Sequence, residues 1–301
     1  MFPALPGAQH VAWRALGTSL PLYLRLAKVR LSSLVVATAA TGFVLGARGG
    51  MDLPRLVWTL LGTALAACGA NALNQWIEVA RDARMRRTRD RPLSARRLHS
   101  RSALVFACVT GLAGPALLVL KVDIATAGLA LAALLVYILA YTPLKVRTPL
   151  STLVGAVVGA LPPMVGWVGA AGRLDAGAWV LAGILFLWQI PHSLALAWLY
   201  RDDYRRGGFC LLPVIRPSGS VTGDVIVLYT LVLVLLTLQM TLIGVAGPVY
   251  AVGALLLGVG LLIAGVALER QPSRAAARRL FLATVVYLPL LLALLILDRS
   301  A

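Results

Sequence analysis

Apolar residues occur in nine long runs along this chain of 301 residues, and short clusters of polar and charged residues separate the runs. Each run has about the length, roughly 20 residues, that an α-helix needs to cross the hydrocarbon core of a bilayer. The pattern therefore predicts nine membrane-spanning helices, at residues 31–48, 55–80, 102–120, 124–142, 152–172, 176–199, 222–242, 246–267 and 279–297.

The composition supports the same class of protein. Hydrophobic residues make up 60% of the chain and charged residues only 13%, which leaves too little polar surface for a soluble protein of this size. We therefore predict an all-α, polytopic bundle that has the lipid bilayer as its surroundings. A basic N-terminal arm is expected at residues 1–30, followed by one transmembrane domain at residues 31–301.

Basic residues outnumber acidic ones and give a formal net charge of +17. In a soluble protein this excess would suggest nucleic acid as a partner, but here the charges lie in short loops, where they report membrane topology. A cytoplasmic N-terminus puts 23 Lys and Arg residues inside and 5 outside. The positive-inside rule thus predicts a cytoplasmic N-terminus, a C-terminus on the opposite side and no nucleic-acid partner.

The second run ends in the polar sequence NQWIEVARDARMRRTRDRPL, at residues 74–93. If the helix continues through residue 82, Asn74, Glu78 and Asp82 follow one another at i+4 spacing and form one stripe. An amide and two carboxylates are hard oxygen ligands, which Mg²⁺ accepts when it also binds substrate phosphates. Acidic side chains are costly at the membrane, so their presence favours a functional cavity.

The same stripe has a simpler explanation. At the end of an ordinary helix, Glu78 and Asp82 would form local ion pairs with nearby arginines such as Arg81 and Arg86. Spacing within one helix leaves both alternatives open.

Two acidic residues also follow the sixth run. Asp202 and Asp203 are adjacent, so on a helix they point about 100° apart and only one can face a given site. A solvated charged loop would look similar. However, two predicted helices end on the same membrane face in carboxylates followed by arginines, and this symmetry favours one shared site.

Basic residues flank the same membrane face. Lys28 and Arg30 open the first run, and Lys145 and Arg147 lie in the short turn after the fourth. Such residues commonly anchor helices at the interface. Beside the acidic stripe they could instead contact an anionic head group.

His192 lies inside the sixth run, next to Pro191. A neutral, buried histidine bonded to Gln189 or to a backbone carbonyl is one explanation, and contact with an iron porphyrin is the other. The fifth run contains Pro162 and Pro163, which predict either a kinked packing helix or one wall of a cavity.

Together these segments predict a cavity that opens to the cytoplasmic face. Carboxylates can hold Mg²⁺, and the metal together with Lys and Arg can neutralise a diphosphate. The apolar bundle beneath would accommodate a long hydrocarbon tail. This combination favours ionisation of an allylic diphosphate, because the dry interior shields the resulting carbocation from water.

The order of the polar blocks resembles the UbiA-type intramembrane prenyltransferases. The blocks are NxxxExxxD at 74–82, MRRTxxRPL at 85–93, YTxxK at 141–145, GAxPPxxGW at 159–167, PH at 191–192, DY at 203–204 and LP at 212–213. The resemblance extends from about residue 28 to about residue 213, and the last three runs match only as apolar spans.

The resemblance implies a nine-helix bundle in the bacterial inner membrane that uses Mg²⁺ to transfer a farnesyl group from farnesyl diphosphate to haem B. A downstream haem-modifying oxidase would be a candidate partner. By the same resemblance, the catalytic residues are Asn74, Glu78, Asp82 and Asp203, and the last three of these are metal ligands. The implied diphosphate contacts are Lys28, Arg30, Lys145 and Arg147. The implied haem contact is His192.

The chain departs from the family pattern in the loop that contains Cys210 and by three residue replacements. Glu78 replaces a common aspartate and reaches further, Val29 replaces a frequent proline, and Ser193 replaces an aromatic residue. Two other functions stay open, namely prenyl transfer to an aromatic or quinone precursor, and a role as a transporter or assembly factor. Transporters usually carry acids near the bilayer midplane and an internal repeat, whereas these acids cluster at one face.

Overall fold

The structure is a computed structural model that describes residues 20–47 and 50–300. Within those ranges nine helices are long and apolar enough to cross a membrane, which confirms the all-α, polytopic class. The chain is therefore an integral multi-pass membrane protein. We number the helices α1 Val29–Gly46, α2 Leu53–Ile77, α3 Ser100–Lys121, α4 Ile124–Leu144, α5 Ser151–Ala171, α6 Ala176–Leu199, α7 Ser220–Leu242, α8 Pro248–Arg270 and α9 Arg274–Leu297.

Short helices extend one end of the bundle. They cover residues 20–26, Val79–Asp82, Arg201–Gly207 and Leu212–Ile215. Most of the predicted N-terminal arm lies outside the described residues. Its last part is helical, and Leu26 within it is fully buried.

Aspartate side chains fix the starts of three long helices at the opposite end of the bundle. Asp52, Asp123 and Asp175 each accept a backbone N–H from the first turn of α2, α4 and α6, the role of an N-cap residue. Arg55 also pairs with Asp123 at 2.5 Å and donates to the carbonyl of Gly169. These contacts tie α2, α4 and α5 together at this end.

α1 and α5 approach each other so closely that only glycine fits at two positions. A Cβ atom on Gly42 would overlap the backbone carbonyl of Pro163, and one on Gly166 would overlap the carbonyl of Ala39. α5 runs unbroken through Pro162 and Pro163, and both prolines are buried. Small residues are typical where membrane helices pack closely, so the proline-rich span is a packing helix along this face.

α4 confirms the span expected at 124–142 but is not a regular α-helix throughout. Residues Val136–Tyr141 form a π-helix between Ile124–Leu135 and Thr142–Leu144. The hydroxyl of Thr142 donates to the carbonyl of Tyr137, at 2.8 Å. Short π-helical insertions are frequent at functional sites, and this one lies one short helical turn before Lys145.

Candidate active site

The acidic stripe begins where α2 ends. α2 stops at Ile77, and Glu78 leaves the helical conformation before the four-residue helix Val79–Asp82, so the helix does not continue unbroken through residue 82. The register nevertheless survives, because the N–H of Glu78 donates to Asn74 and that of Asp82 donates to Glu78. Asn74, Glu78 and Asp82 therefore still follow one another, and their exposed fractions are only 2%, 4% and 1%.

Glu78 pairs with a cation from a different helix rather than with a neighbouring arginine. Lys145 follows α4, and its Nζ lies 2.5 Å from Oε1 of Glu78. The same ammonium lies 4.8 Å from the ring centroid of Tyr141 and 5.4 Å from that of Phe209. Aromatic faces attract a desolvated cation, so the carboxylate and the two rings together hold Lys145, which is 9% exposed.

Asp82 pairs with Arg91, which the sequence-based set of site residues did not include. Nη1 of Arg91 lies 2.5 Å from Oδ2 of Asp82, whereas Oδ1 is buried without a hydrogen-bond partner. Thr88 donates to the carbonyl of Asp82 at 2.9 Å and so helps to turn the chain back. Burial raises the pKa of Asp82, and Arg91 opposes that shift. The block MRRTxxRPL contains Arg91, but Asp82 and Arg91 are nine residues apart. This separation predicts no contact unless a turn brings the two side chains together.

Lys28 reaches the same site from the segment before α1. Its backbone is left-handed, with φ of 49°, a strained conformation for a residue other than glycine. Its Nζ lies 3.4 Å from Oδ1 of Asn74, whose Nδ2 donates to the hydroxyl of Thr142. Burial, reinforced by the charges of Arg91 and Lys145, lowers the pKa of Lys28 to about 7.

Gln75 was also missed by the sequence analysis. Its Nε2 donates to the carbonyl of Leu26, at 2.6 Å, and therefore links α2 to the helix at residues 20–26. This link fixes the segment that carries Lys28. No spacing in the sequence relates residues 26 and 75, so only the folded structure reveals the contact.

Asp203 lies on the neighbouring helix Arg201–Gly207 and is bonded to the loop that follows Asp82. Its carboxylate accepts the backbone N–H groups of Arg86 and Arg87, at 3.1 and 3.2 Å, and pairs with Arg206. Although burial raises its pKa, these partners prevail and lower it. Asp202 is exposed, which confirms that only one of the two adjacent aspartates faces inward.

The remaining predicted residues lie apart from this network. Arg30 and Arg147 are exposed, and within the described residues neither forms an ion pair. His192 stacks on Trp188 on α6 and packs against Phe281 on α9, with centroid separations of 4.7 and 5.0 Å. Its Nδ1 lies 2.9 Å from the hydroxyl of Thr284. The proposed roles of these three residues stay predictions.

The donor set fits a divalent cation that shares its ligands with a substrate. Among residues 20–47 and 50–300, no group of three or more His, Cys, Asp or Glu side chains could hold a metal. Mg²⁺ commonly takes only one or two carboxylates and completes its shell with substrate phosphates and water. Glu78 and Asp82, with the unpartnered Oδ1 of Asp82, supply two such carboxylates beside Asn74.

Comparisons with known proteins identify the family to which the chain is similar. The profile described as the UbiA prenyltransferase family matches residues 35–291. A protoheme IX farnesyltransferase of Solibacter usitatus is 41% identical over 92% of this chain and 98% of its own length. The mitochondrial protoheme IX farnesyltransferase of Homo sapiens is 40% identical over 90% of this chain, which spans only 61% of that relative's length.

Two solved structures share the fold. A structure of digeranylgeranylglyceryl phosphate synthase aligns with a TM-score of 0.79, at 15% identity, over 93% of this chain and 98% of that one. A UbiA homolog from Archaeoglobus fulgidus, bound to DMAPP and Mg²⁺, aligns with a TM-score of 0.66, at 14% identity, over 91% and 98%.

Fold and site together define an integral membrane protein whose buried carboxylates and cations lie at one end of an apolar helical bundle. The family match, together with the similarity to relatives over nearly their full length, identifies the protein family within that class. The chain belongs to the UbiA prenyltransferase family.

Proposed function

We propose that this protein transfers a farnesyl group from farnesyl diphosphate to a vinyl group of haem B, with addition of water, to give haem O and diphosphate. The observation that carries the proposal is the 41% identity to the Solibacter usitatus protoheme IX farnesyltransferase over nearly all of both chains. The buried carboxylates and cations support it, because such a site can bind a metal and a diphosphate.

Mg²⁺ would be held by Glu78 and Asp82 beside Asn74, and when bound it neutralises charge on the departing diphosphate. Support for this cofactor comes from the donor chemistry and from the family member of Archaeoglobus fulgidus that was solved with DMAPP and Mg²⁺. We propose Asp203 as a further metal ligand. To act in that way, it would exchange its bonds to the 86–87 backbone for the metal.

The cations around the stripe would bind the diphosphate itself. Lys28 donates to Asn74, and Lys145 pairs with Glu78, so a phosphate entering the site would compete for both ammonium groups. Arg30 and Arg147 are proposed as outer diphosphate contacts. His192 is proposed as a haem contact.

The transfer then needs few further groups from the protein. The allylic C–O bond breaks and its electron pair leaves with the diphosphate. The terminal vinyl carbon of haem bonds to the farnesyl carbon, and water adds to the other vinyl carbon and releases a proton. The rings of Tyr137 and Tyr141 stack with their centroids 5.3 Å apart, and Tyr141 lies against Lys145. These rings can stabilise positive charge, while the apolar helices keep bulk water away.

We further propose that the protein lies in a bacterial inner membrane with its N-terminus in the cytoplasm and its C-terminus on the opposite side. The distribution of Lys and Arg supports this orientation. Substrates would then enter from the cytoplasmic face, and a downstream haem-modifying oxidase would receive the product.

A single assay tests donor, acceptor and metal together. The purified protein is incubated in detergent with haem B, farnesyl diphosphate and Mg²⁺, and the porphyrin is analysed by mass spectrometry, with EDTA as the control. A hydroxyfarnesylethyl haem that forms only with Mg²⁺ is the expected product. Diphosphate release without modified haem would favour an aromatic or quinone-precursor acceptor instead, and neither product from folded protein would overturn the proposal.

A further inference from the structure

A cavity with a largely apolar lining lies beside the end of α2, and Asn74, Glu78 and Asp82 are not among its lining residues. It has a volume of about 490 Å³, with Trp76, Val79 and Leu93 among its apolar lining residues and Arg96 and Arg97 among its polar ones. Helix α2 ends at Ile77 and α3 begins at Ser100, so the cavity lies at the level where two membrane spans end. This is the level of the lipid head groups.

Three arginines near this cavity lack a counter-charge. Arg96, Arg97 and Arg101 are exposed, and none of them forms an ion pair with a carboxylate in the part of the chain that the structure describes. Arg96 also has a left-handed backbone, with φ of 54°, although it is not a glycine. The guanidinium groups therefore present uncompensated positive charge to the membrane surface.

The start of α3 adds to this positive field. Its N-cap residue His99 provides no side-chain hydrogen bond, and its first turn contains no acidic residue. The first backbone N–H groups of a helix have no partner within the helix, and the helix dipole favours an anion there. An anionic ligand at this point would meet both the arginines and the helix terminus.

An apolar track leads from the arginines into the membrane span. A neighbouring cavity of about 470 Å³ is lined by Arg101 together with Val105 and Val109. Val105, Val109 and Leu112 are 63%, 59% and 62% exposed, and their spacing places them on one face of α3. From Arg101 to Leu112 the exposed side chains change from cationic to apolar, just as a phospholipid changes from a charged head group to apolar acyl chains.

We propose that the two cavities form one binding site for an anionic membrane phospholipid. The phosphate is bound by Arg96, Arg97 and Arg101 at the start of α3, and an acyl chain lies along Val105 and Val109. The charge complementarity and the position at the ends of two spans identify a membrane lipid as the occupant. The site is independent of prenyl transfer.

The test measures lipid binding to the full-length protein in detergent by native mass spectrometry, with phosphatidylglycerol and phosphatidylcholine as probes. The triple variant R96Q/R97Q/R101Q removes the proposed phosphate contacts. The matched control R270Q/R274Q/R278Q removes the same charge from exposed residues at the junction of α8 and α9. We expect phosphatidylglycerol binding to fall about 10- to 100-fold in the triple variant, from the usual contribution of each basic residue, and to change less than about twofold in the control.

Ser102→Glu provides a second variant with little risk to folding. A carboxylate in the first turn of α3 interacts favourably with the helix dipole but repels a lipid phosphate. We expect an unchanged or higher melting temperature and weaker phosphatidylglycerol binding. Equal binding of the two lipids, equal losses in the two triple variants, or displacement of the lipid by haem B would each overturn the proposal.

Discussion

At the residue scale, the two carboxylates of the stripe take their partners from beyond their own helical segment. Glu78 pairs with Lys145, 67 positions later, and Asp82 pairs with Arg91 across a turn. A buried carboxylate is costly without a counter-charge. Arg84 and Arg86 are exposed and Arg81 is only half-buried, whereas Lys145 is itself buried by packing. The partner of each carboxylate is therefore decided by which cation is buried beside it, and the spacing of residues along a helix does not predict this.

Asp82→Asn tests the proposed metal and diphosphate site. We expect prenyl transfer to fall at least about 100-fold, since a charged group that stabilises the leaving diphosphate is lost. The melting temperature should change by only a few degrees, because asparagine keeps the shape of the side chain. Asp90→Asn, at an exposed position in the same loop, is the matched control. Activity retained in Asp82→Asn would rule out this carboxylate as a ligand.

Glu78→Asp tests whether the site depends on the chemistry of the ligand or on its reach. The shorter side chain keeps the carboxylate but retracts from Lys145, so we expect activity within about tenfold of the original protein. Glu78→Gln, which removes the charge and keeps the length, should lose most activity. Product formation is measured at several Mg²⁺ concentrations to compare the Glu78→Asp and Glu78→Gln variants. An inactive Glu78→Asp would mean that the geometry has adapted to glutamate.

At the element scale, the helices depart from regular geometry where they meet the site. α2 breaks at Glu78, α4 becomes a π-helix before Lys145, and Lys28 adopts a left-handed backbone before α1. Strained or irregular backbone persists only where surrounding packing fixes it, and it often coincides with function. The hydrophobic pattern predicted the spans because it reports burial in lipid. It carries no information about these local departures.

Gly42→Ala tests the close crossing of α1 and α5. The added methyl group would overlap the carbonyl of Pro163, so we expect a loss of about 1–3 kcal/mol in stability, typical of overpacking. Gly260→Ala is the control, because a Cβ atom there has no neighbour within 4 Å and alanine favours the helix. Thermal unfolding in the same detergent compares them. Equal melting temperatures would contradict the close packing.

At the scale of the whole molecule, the surface is apolar over much of its area. Large aliphatic side chains such as Leu120, Ile124 and Leu242 are 77%, 79% and 75% exposed. In water such a surface would aggregate, whereas in a bilayer it faces lipid. The site and most of the basic residues lie at one end of the bundle, so binding of anionic substrates depends on which side of the membrane this end faces.

The orientation is testable with cysteine labelling in intact cells. We expect Asp90→Cys, in a background without Cys68, Cys108 and Cys210, to react with a membrane-impermeant maleimide only after the membrane is opened. Leu174→Cys, which lies between α5 and α6 at the other end of the bundle, should react in intact cells. The opposite pattern would reverse the proposed topology.

The sequence by itself determined the number and order of the spans, because an apolar run long enough to cross a bilayer is a local property. It also identified Asn74, Glu78, Asp82 and Asp203 as candidate site residues, since polar groups at span ends are few. The tertiary structure alone decided which cations meet these groups. Lys145 and Arg91 reach the carboxylates, and Gln75 anchors the segment before α1, because such contacts depend on turns and helix packing that no local pattern encodes.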